Sequence, residues 1–441
     1  MKFLQDTFRY LNENCNYAVL RSFDDLPDHY ESHDIDMIMS ETEYDRVKAD
    51  LYGIAEKHGY KLLQYYRDER FVTIFFQKVT ENSSDILELD FFFAMSAKGI
   101  IMIDAENILK NRCFNGKVYH VSLVDEVLDK CLCNGVFGVA YPERYMCRYE
   151  MLSDAEKAEL NQKLEYVFGC DIHSFAIHQR TDGKTLTKYA MKQGVRHRGV
   201  KQYLFRMRHL SHIIKNLLAP RGIFMSFTGP DGSGKTTVLD LIGDCYEKVF
   251  RGSIQVHHFR PDVLPRLAVL FHRAGLKKTV DEEYDKPHRG KPSGTAGSIV
   301  RIFYYILDYQ IGYLLKIRNL LFRRNVVIYD RYFFDIIADA ARSNIGLDYR
   351  VINKLGILVP KPKFAVLLTA KAETITARKK ELSEDEIREI NRKLEFMEAE
   401  NNARIIYNET TAEKAACAAM KWILDEQDKK LCKNMVNRNG E

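Results

Sequence analysis

A glycine-rich segment near the middle of the chain carries residue types that bind phosphate. Residues 229–237 read Gly-Pro-Asp-Gly-Ser-Gly-Lys-Thr-Thr, which fits the pattern GxxxxGK[ST]. The glycines let backbone N–H groups approach phosphate oxygens, and Lys235 adds positive charge at the terminal phosphates. The Thr236 hydroxyl is a ligand for Mg²⁺. The residues predicted to bind the nucleotide here are Gly229, Gly232, Ser233, Gly234, Lys235, Thr236 and Thr237.

The segments on either side of this loop predict a strand and a helix. Residues 223–228 are a short, mostly apolar run, as expected of a buried parallel strand. After the loop, Val238, Ile242 and Val249 belong to an apolar stripe with helical spacing. A helix that begins at the loop points its positive end at a bound anion. The sequence therefore predicts that this chain binds a nucleoside triphosphate.

An aspartate at the end of a later apolar run predicts a second metal contact. Residues 325–330 read Asn-Val-Val-Ile-Tyr-Asp, and Asp330 would hold Mg²⁺ together with Thr236. Side chains that follow such a strand emerge where open parallel sheets bind their ligands. The residues predicted to contact the acceptor substrate are Arg260, Arg331, Tyr332, Asp335 and Arg342.

A cationic helix end completes the predicted catalytic set. The helix that begins near residue 372 becomes basic at Arg378 and Lys379, which suits binding of the donor phosphates during transfer. The chain has no Asn-Lys-x-Asp tetrad for guanine, so ATP with Mg²⁺ is the predicted cofactor pair. The residues predicted to act in catalysis are Asp231, Lys235, Asp330, Arg331 and Arg378.

Two kinds of acceptor stay open. A phosphate acceptor is already anionic and needs cations, whereas a hydroxyl must lose a proton to a nearby base. Asp231 lies inside the loop, beside the phosphoryl group that would move, and Asp335 is a second candidate base. This placement favours a hydroxyl on a small molecule, sugar or glycan. Residues 262–298 are rich in charge and glycine and are predicted to form a mobile lid on the acceptor side.

Two acidic strands near the beginning of the chain indicate a second site. Asp34 and Asp36 lie on one face of a predicted strand, and Asp90 lies with Glu88 on one face of a second one, residues 86–93. Adjacent carboxylates repel each other unless a cation lies between them, so Asp34, Asp36 and Asp90 are candidate metal ligands.

Residues 1–120 resemble the nucleotidyltransferase fold, which is marked by a Gly-Ser turn, an Asp-x-Asp strand and a later Asp. The resemblance implies an α+β domain, and it leaves open a bifunctional protein that also transfers a nucleotidyl group. Arg21 stands where the turn of that fold has glycine, so it could obstruct a bound triphosphate.

Residues 220–428 resemble the thymidylate kinase-like family. The matches are the loop with Asp231 inside it, Arg260-Pro261, Asp330-Arg331-Tyr332 and Arg378. The resemblance implies a P-loop NTPase fold, an α/β parallel sheet flanked by helices. It also implies Asp231, Arg260 and Arg331 on the acceptor side, with Arg378 and Lys379 on the donor side.

Departures from the thymidylate kinase pattern weigh against thymidylate as the acceptor. Thr228 replaces a glutamate before the loop, and Phe259 precedes Arg260-Pro261. The chain is similar to thymidylate kinase-like proteins associated with bacterial surface polysaccharide loci. A nucleoside monophosphate kinase and a nucleotide-gated binding module remain alternatives.

The predicted organisation has three parts. They are a nucleotidyltransferase-like domain at 1–120, a helical extension with a basic linker helix at 121–219, and a kinase domain at 220–441. Residues 196–218 combine cations with apolar residues at helical spacing, so they predict an inter-domain helix or peripheral contact with an anionic membrane or glycan. The tail from Lys429 is predicted to be disordered.

Composition limits the class of protein. A net charge of +5 over 441 residues gives no indication of nucleic-acid binding. The nine cysteines lack the spacing of zinc or disulfide sites, which predicts reduced thiols and a cytoplasmic location. No signal peptide is recognisable, and no apolar run reaches the roughly 18 residues of a membrane span. Oligomer formation stays open.

Overall fold

The computed structural model describes residues 2–29, 34–247, 250, 254–265 and 294–436. The chain forms two compact units. The first comprises Met1–Lys78, Ile86–Asn216 and Leu424–Glu441, and the second comprises Val79–Asp85 and Leu217–Ile423. Nearly all of the predicted helical extension and linker helix, 121–219, belongs to the first unit. Most of the predicted lid, 266–293 of 262–298, lies outside the described residues.

The first unit is built on a mixed seven-stranded sheet of order β3-β4-β5-β2-β1-β9-β8, with a separate β6-β7 hairpin. Strand β2 pairs with β5 in parallel, which places Asp36 opposite Asp90. The strands are β1 Tyr17–Val19, β2 Asp34–Met39, β3 Lys61–Arg67, β4 Phe71–Val79, β5 Ser84–Phe92, β6 Ala94–Ala97, β7 Ile100–Asp104, β8 Cys113–Phe114 and β9 Tyr119–His120.

Helices cover this sheet and extend the first unit. Serine side chains begin several of them: Ser40 accepts from the Glu43 N–H, and Ser153 with Glu156 forms a capping box. The helices are α1 Lys2–Asn14, α2 Glu41–Lys57, α3 Ala105–Leu109, α4 Leu123–Phe137, α5 Glu143–Glu150, α6 Asp154–Phe168, α7 Phe175–Arg180, α8 Gly183–Arg198 and α9 Val200–Leu218.

The second unit contains the predicted parallel α/β sheet, with five strands in the order β11-β12-β10-β13-β14. All four pairings are parallel. Strands β10, β12 and β13 are buried at every residue, as their apolar sequences predict. The strands are β10 Ile223–Thr228, β11 Ile254–His258, β12 Val326–Asp330, β13 Phe364–Thr369 and β14 Ala403–Tyr407.

Helices connect the strands of this sheet, and a π-helical turn, Tyr313–Ile317, follows the second of them. The predicted α/β architecture of the second unit is confirmed. The helices are α10 Lys235–Glu247, α11 Thr295–Gly312, α12 Arg318–Phe322, α13 Phe333–Ala338, α14 Tyr349–Leu355, α15 Ala372–Arg378, α16 Glu384–Glu400 and α17 Ala412–Val436.

The end of α17 is ordered, so the predicted disorder from Lys429 is wrong for the described part of the tail. Met435 is fully buried in the core of the first unit, and Leu431 packs beside it. Asp428 accepts hydrogen bonds from the Tyr52 hydroxyl and the Leu62 N–H. The tail is mostly polar, so its composition predicts disorder. Leu431 and Met435 form an apolar face only when the segment is helical.

Candidate functional site

The glycine-rich loop joins β10 to α10, and its backbone requires glycine. Gly232 and Gly234 have φ values of 88° and 86°, which other residues rarely adopt. A Cβ on Gly229 would lie 1.9 Å from the Leu368 carbonyl oxygen, and one on Gly234 would lie 2.5 Å from Asn408 Nδ2. The loop is therefore a tight turn that exposes backbone N–H groups at a helix N-terminus.

Lys235 folds back over this loop. Its Nζ donates to the carbonyl oxygens of Gly229 at 2.8 Å and Pro230 at 3.2 Å. Burial lowers the pKa of Lys235, and the charge of Arg331 lowers it further. A bound anion would stabilise this buried cation, so the geometry suits a phosphate group. Ser233 is also buried, whereas Thr236 and Thr237 are exposed on the first turn of α10.

Asp330 lies beside the loop because β10 and β12 are neighbours. Phe227, near the end of β10, pairs with Asp330 at the end of β12. The carboxylate is buried, and its Oδ1 has no hydrogen-bond partner among the described residues. A buried unpartnered carboxylate oxygen and the exposed Thr236 hydroxyl fit the oxygen ligands of Mg²⁺.

Two residues at this edge were not predicted from the sequence. His258 ends β11, and its Nδ1 lies 3.1 Å from Asp330 Oδ2. Asn408 follows β14 and donates from Nδ2 to the Ser233 carbonyl oxygen at 2.9 Å. Both stand at carboxyl ends of strands, so strand-end position was the signal that could have identified them.

Asp231 is held by two arginines. Arg331 forms an ion pair with one carboxylate oxygen, and Arg342 Nη1 lies 3.0 Å from the other. Burial opposes ionisation of Asp231, but Arg331 and Lys235 outweigh it and keep the pKa of this carboxyl below its ordinary value. A carboxylate in this state accepts protons poorly, so the arrangement argues against the predicted role of Asp231 as a base.

Asp335 has the opposite environment. It is buried on α13, with Arg331 Nη1 3.8 Å from its carboxylate. Burial raises the pKa of Asp335 to about 6, against the opposing charges of Arg331 and Lys235. A carboxyl that titrates near neutral pH suits proton transfer better than Asp231 does.

Two predicted acceptor residues have other partners. The Arg260 guanidinium lies 3.0 Å from Asp262 and 3.6 Å from Asp308, and stacks 4.6 Å from the Tyr305 ring centre. These contacts bind it to the start of the β11–α11 connection and to α11.

Tyr332 is a core residue rather than a substrate contact. Its side chain is buried against Phe224 and Tyr309, and its hydroxyl donates to the Pro360 carbonyl oxygen at 2.8 Å. The side chain of Tyr332 points into the core, although the residue follows the end of β12.

The basic end of α15 lies next to the loop. A Cβ on Gly232 would be 3.1 Å from Lys379 Cβ, and the charge of Lys379 helps to lower the pKa of Asp231. Lys379 Nζ is 3.0 Å from Glu381, and Arg378 is exposed in the last turn of the helix. Lys379 thus lies beside the phosphate loop, and its role on the donor side stays a prediction.

The acidic cluster of the first unit contains an internal cation. Oxygens of Asp34, Asp36 and Asp90 lie within 4.8 Å of one another. Arg21 forms an ion pair with Asp36, and it lies 3.4 Å from Asp34 and 3.6 Å from Asp129. Burial raises the pKa of Asp36 to about 8, against the opposing charge of Arg21. A divalent cation would have to displace Arg21 from Asp34 and Asp36, and metal binding at this cluster stays a prediction.

Part of this chain is similar to a known protein. The chain is 30% identical to a probable thymidylate kinase of Sulfolobus acidocaldarius over 156 residues, which are 35% of this chain and 67% of that protein. The crystal structure of thymidylate kinase from Ehrlichia chaffeensis is similar over 46% of this chain and 98% of that chain, with 16% sequence identity and a TM-score of 0.31. No family model matches the chain.

Proposed function

This chain belongs to the thymidylate kinase family, and on that premise we propose that its second unit moves the γ-phosphoryl group of ATP to a small-molecule, sugar or glycan acceptor. One observation carries the proposal. The phosphate loop and Asp330 lie at the ends of adjacent parallel strands, and the buried Asp330 Oδ1 has no hydrogen-bond partner among the described residues. We place the activity in the cytoplasm, where ATP is available.

The side chains of the second unit have separate roles in this proposal. Lys235 and the loop N–H groups hold the terminal phosphates, while Thr236 and Asp330 are the metal ligands. When bound, Mg²⁺ offsets the charge of the phosphate oxygens. Lys379 and Arg378 offset charge on the donor side.

The acceptor side is organised by the arginine pair. Arg331 and Arg342 both form ion pairs with Asp231. In this proposal the three residues are a charged cluster at the loop, and Asp231 does not act as a base. In this proposal Asp335, which lies 3.8 Å from Arg331 Nη1, takes the proton from an acceptor hydroxyl, and its raised pKa suits that role.

A nucleoside monophosphate is the second candidate acceptor. The similar protein of Sulfolobus acidocaldarius is described as a thymidylate kinase, and Arg331 and Arg342 could bind an anionic acceptor. Such an acceptor needs no base, so the two candidates differ in their dependence on Asp335.

Labelled ATP separates the alternatives. The full chain would be incubated with Mg²⁺, ATP labelled in the γ or the α phosphate, and either thymidine monophosphate or fractionated sugars and glycans. We expect γ label on a sugar or glycan, and a loss of at least about a hundredfold in Lys235→Ala. Label on thymidine monophosphate would instead support the second candidate.

Two other outcomes would overturn the proposal. Transfer of the α label would indicate a nucleotidyltransferase activity in the first unit. Release of free phosphate, with no labelled acceptor from any fraction, would indicate a nucleotide-gated binding module.

A further inference from the structure

Helix α9, Val200–Leu218, is anchored to the first unit by one polar face. Gln202 is fully buried, donates to the Gly99 carbonyl oxygen at 3.0 Å and accepts from the Ile101 N–H at 3.2 Å. The Nδ1 atoms of His209 and His212 lie 2.5 Å and 2.6 Å from the two oxygens of the buried Glu69. These contacts fix which face of the helix points outward.

The outward face of α9 is apolar. Met207 is 64% exposed and Leu204 is 59% exposed. At helical spacing the exposed set covers more than a third of the circumference, wider than the narrow seam of a two-stranded coiled coil. Its central members are Tyr203, Leu204, Met207, Leu210, Ile214 and Leu217.

Basic side chains border this apolar face on both flanks. Lys201, Arg208 and Lys215 recur every seven residues along one flank, and Arg206 lies on the other. The helix contains no acidic residue, and the Arg208 guanidinium lies 3.3 Å from Glu41. Long basic side chains on the flanks of an apolar stripe can contact anionic headgroups while the stripe enters the acyl boundary.

We propose that α9 is an interfacial helix that binds the chain to the surface of an anionic lipid membrane. The basic flanks of α9 favour an anionic lipid surface over a second copy of the chain. A second copy of the helix would bring more cations to the rim, with no acidic partner from α9 itself, whereas anionic headgroups supply the opposite sign. The binding is peripheral, since no helix among the described residues combines the length and apolarity that a membrane span needs.

Vesicle flotation tests this inference with the full chain. We expect the protein to float with vesicles of phosphatidylcholine and phosphatidylglycerol and to remain at the bottom of the gradient with vesicles of phosphatidylcholine alone. The bound fraction should fall as the salt concentration rises. The combined substitution Leu204→Ser, Met207→Ser and Ile214→Ser should weaken binding at least about tenfold. Lys201→Ser and Lys215→Ser should each weaken it roughly fivefold.

The control variant is Ile357→Ser, because Ile357 is 79% exposed on the second unit and should leave flotation unchanged. Circular dichroism would verify that each variant is folded. Equal binding to neutral vesicles, or binding that survives the triple substitution, would overturn the proposal. A dimer by light scattering that the triple substitution dissociates would assign the face to a second copy instead.

Discussion

At the residue scale, charge pairing decides what each candidate side chain can do. The sequence predicts Asp231 as a base, yet Arg331 and Arg342 stabilise its ionised form. Asp335 lies 3.8 Å from Arg331 Nη1, but its burial outweighs that charge and raises its pKa. Two aspartates of the same unit therefore have opposite properties, and their neighbours are the reason.

Removal of the charge on Asp231 tests whether this carboxylate positions Arg331 and Arg342. In Asp231→Asn the two arginines lose their anionic partner, so we expect phosphoryl transfer to fall by roughly 10- to 100-fold while ATP still binds. Steady-state kinetics with an identified acceptor and ATP titration measure the two effects. Asp240→Asn, exposed on α10, is the control, and full activity of Asp231→Asn would contradict the assignment.

Asp335 predicts a pH-dependent stability difference. Its pKa rises from 3.8 to about 6 on folding, so its uncharged form favours the folded state. That contribution is complete below pH 4 and is lost as pH rises to about 6. The free energy of unfolding of Asp335→Asn should equal that of the wild type near pH 4 and exceed it by about 3 kcal/mol at pH 7. Urea denaturation at both pH values checks this, and equal stability at pH 7 would refute it.

Arg21 predicts the metal behaviour of the first unit. Its guanidinium supplies the positive charge that Asp34 and Asp36 need. Arg21→Gly should gain one Mn²⁺ site relative to the wild type, measured by calorimetry without nucleotide, because it removes the guanidinium that is paired with Asp34 and Asp36. Arg21→Lys keeps the charge and should gain none. An unchanged stoichiometry in Arg21→Gly would contradict this account.

At the element scale, the close approach of strand ends shapes the phosphate loop. A Cβ on Gly229 would collide with the backbone of β13, whereas one on Gly243 of α10 would meet nothing within 4 Å. The loop therefore depends on the adjacent strand as well as on its own sequence.

These two glycines form a matched pair of variants. Gly229→Ala should lower the free energy of unfolding by about 1–3 kcal/mol and weaken nucleotide binding, since the loop must shift. Gly243→Ala should raise stability by up to about 1 kcal/mol through helix propensity. Thermal denaturation and nucleotide titration compare them, and equal behaviour of the pair would exclude the steric explanation.

At the scale of the whole molecule, the last helix stabilises the first unit. Met435 is fully buried in a core formed mainly by residues 3–118. Met435→Ala should destabilise that unit by about 2–5 kcal/mol. Hydrogen exchange of β1 and β2 should accelerate, whereas Met151→Ala, at a position 69% exposed, should leave it unchanged. Unaltered exchange in Met435→Ala would show that the tail is dispensable for this core.

The sequence by itself determined the local chemistry. The run from β10 through the loop into α10, and the apolar strand that ends at Asp330, are contiguous patterns, so short-range periodicity and glycine placement were sufficient to predict them. The adjacency of β10 and β12 does not follow from either run alone, because neither run specifies which parallel strands pair.

Only the tertiary structure decided which charges meet. Asp231 and Arg331 are 100 residues apart, and the partners of Arg21 include Asp129 on another element. The placement of Tyr332 in the core, and of Met435 in the first unit, likewise depends on packing between distant segments. Composition and spacing report what a side chain can do, whereas burial and neighbouring charge, which arise from long-range contacts, set its pKa and its partners.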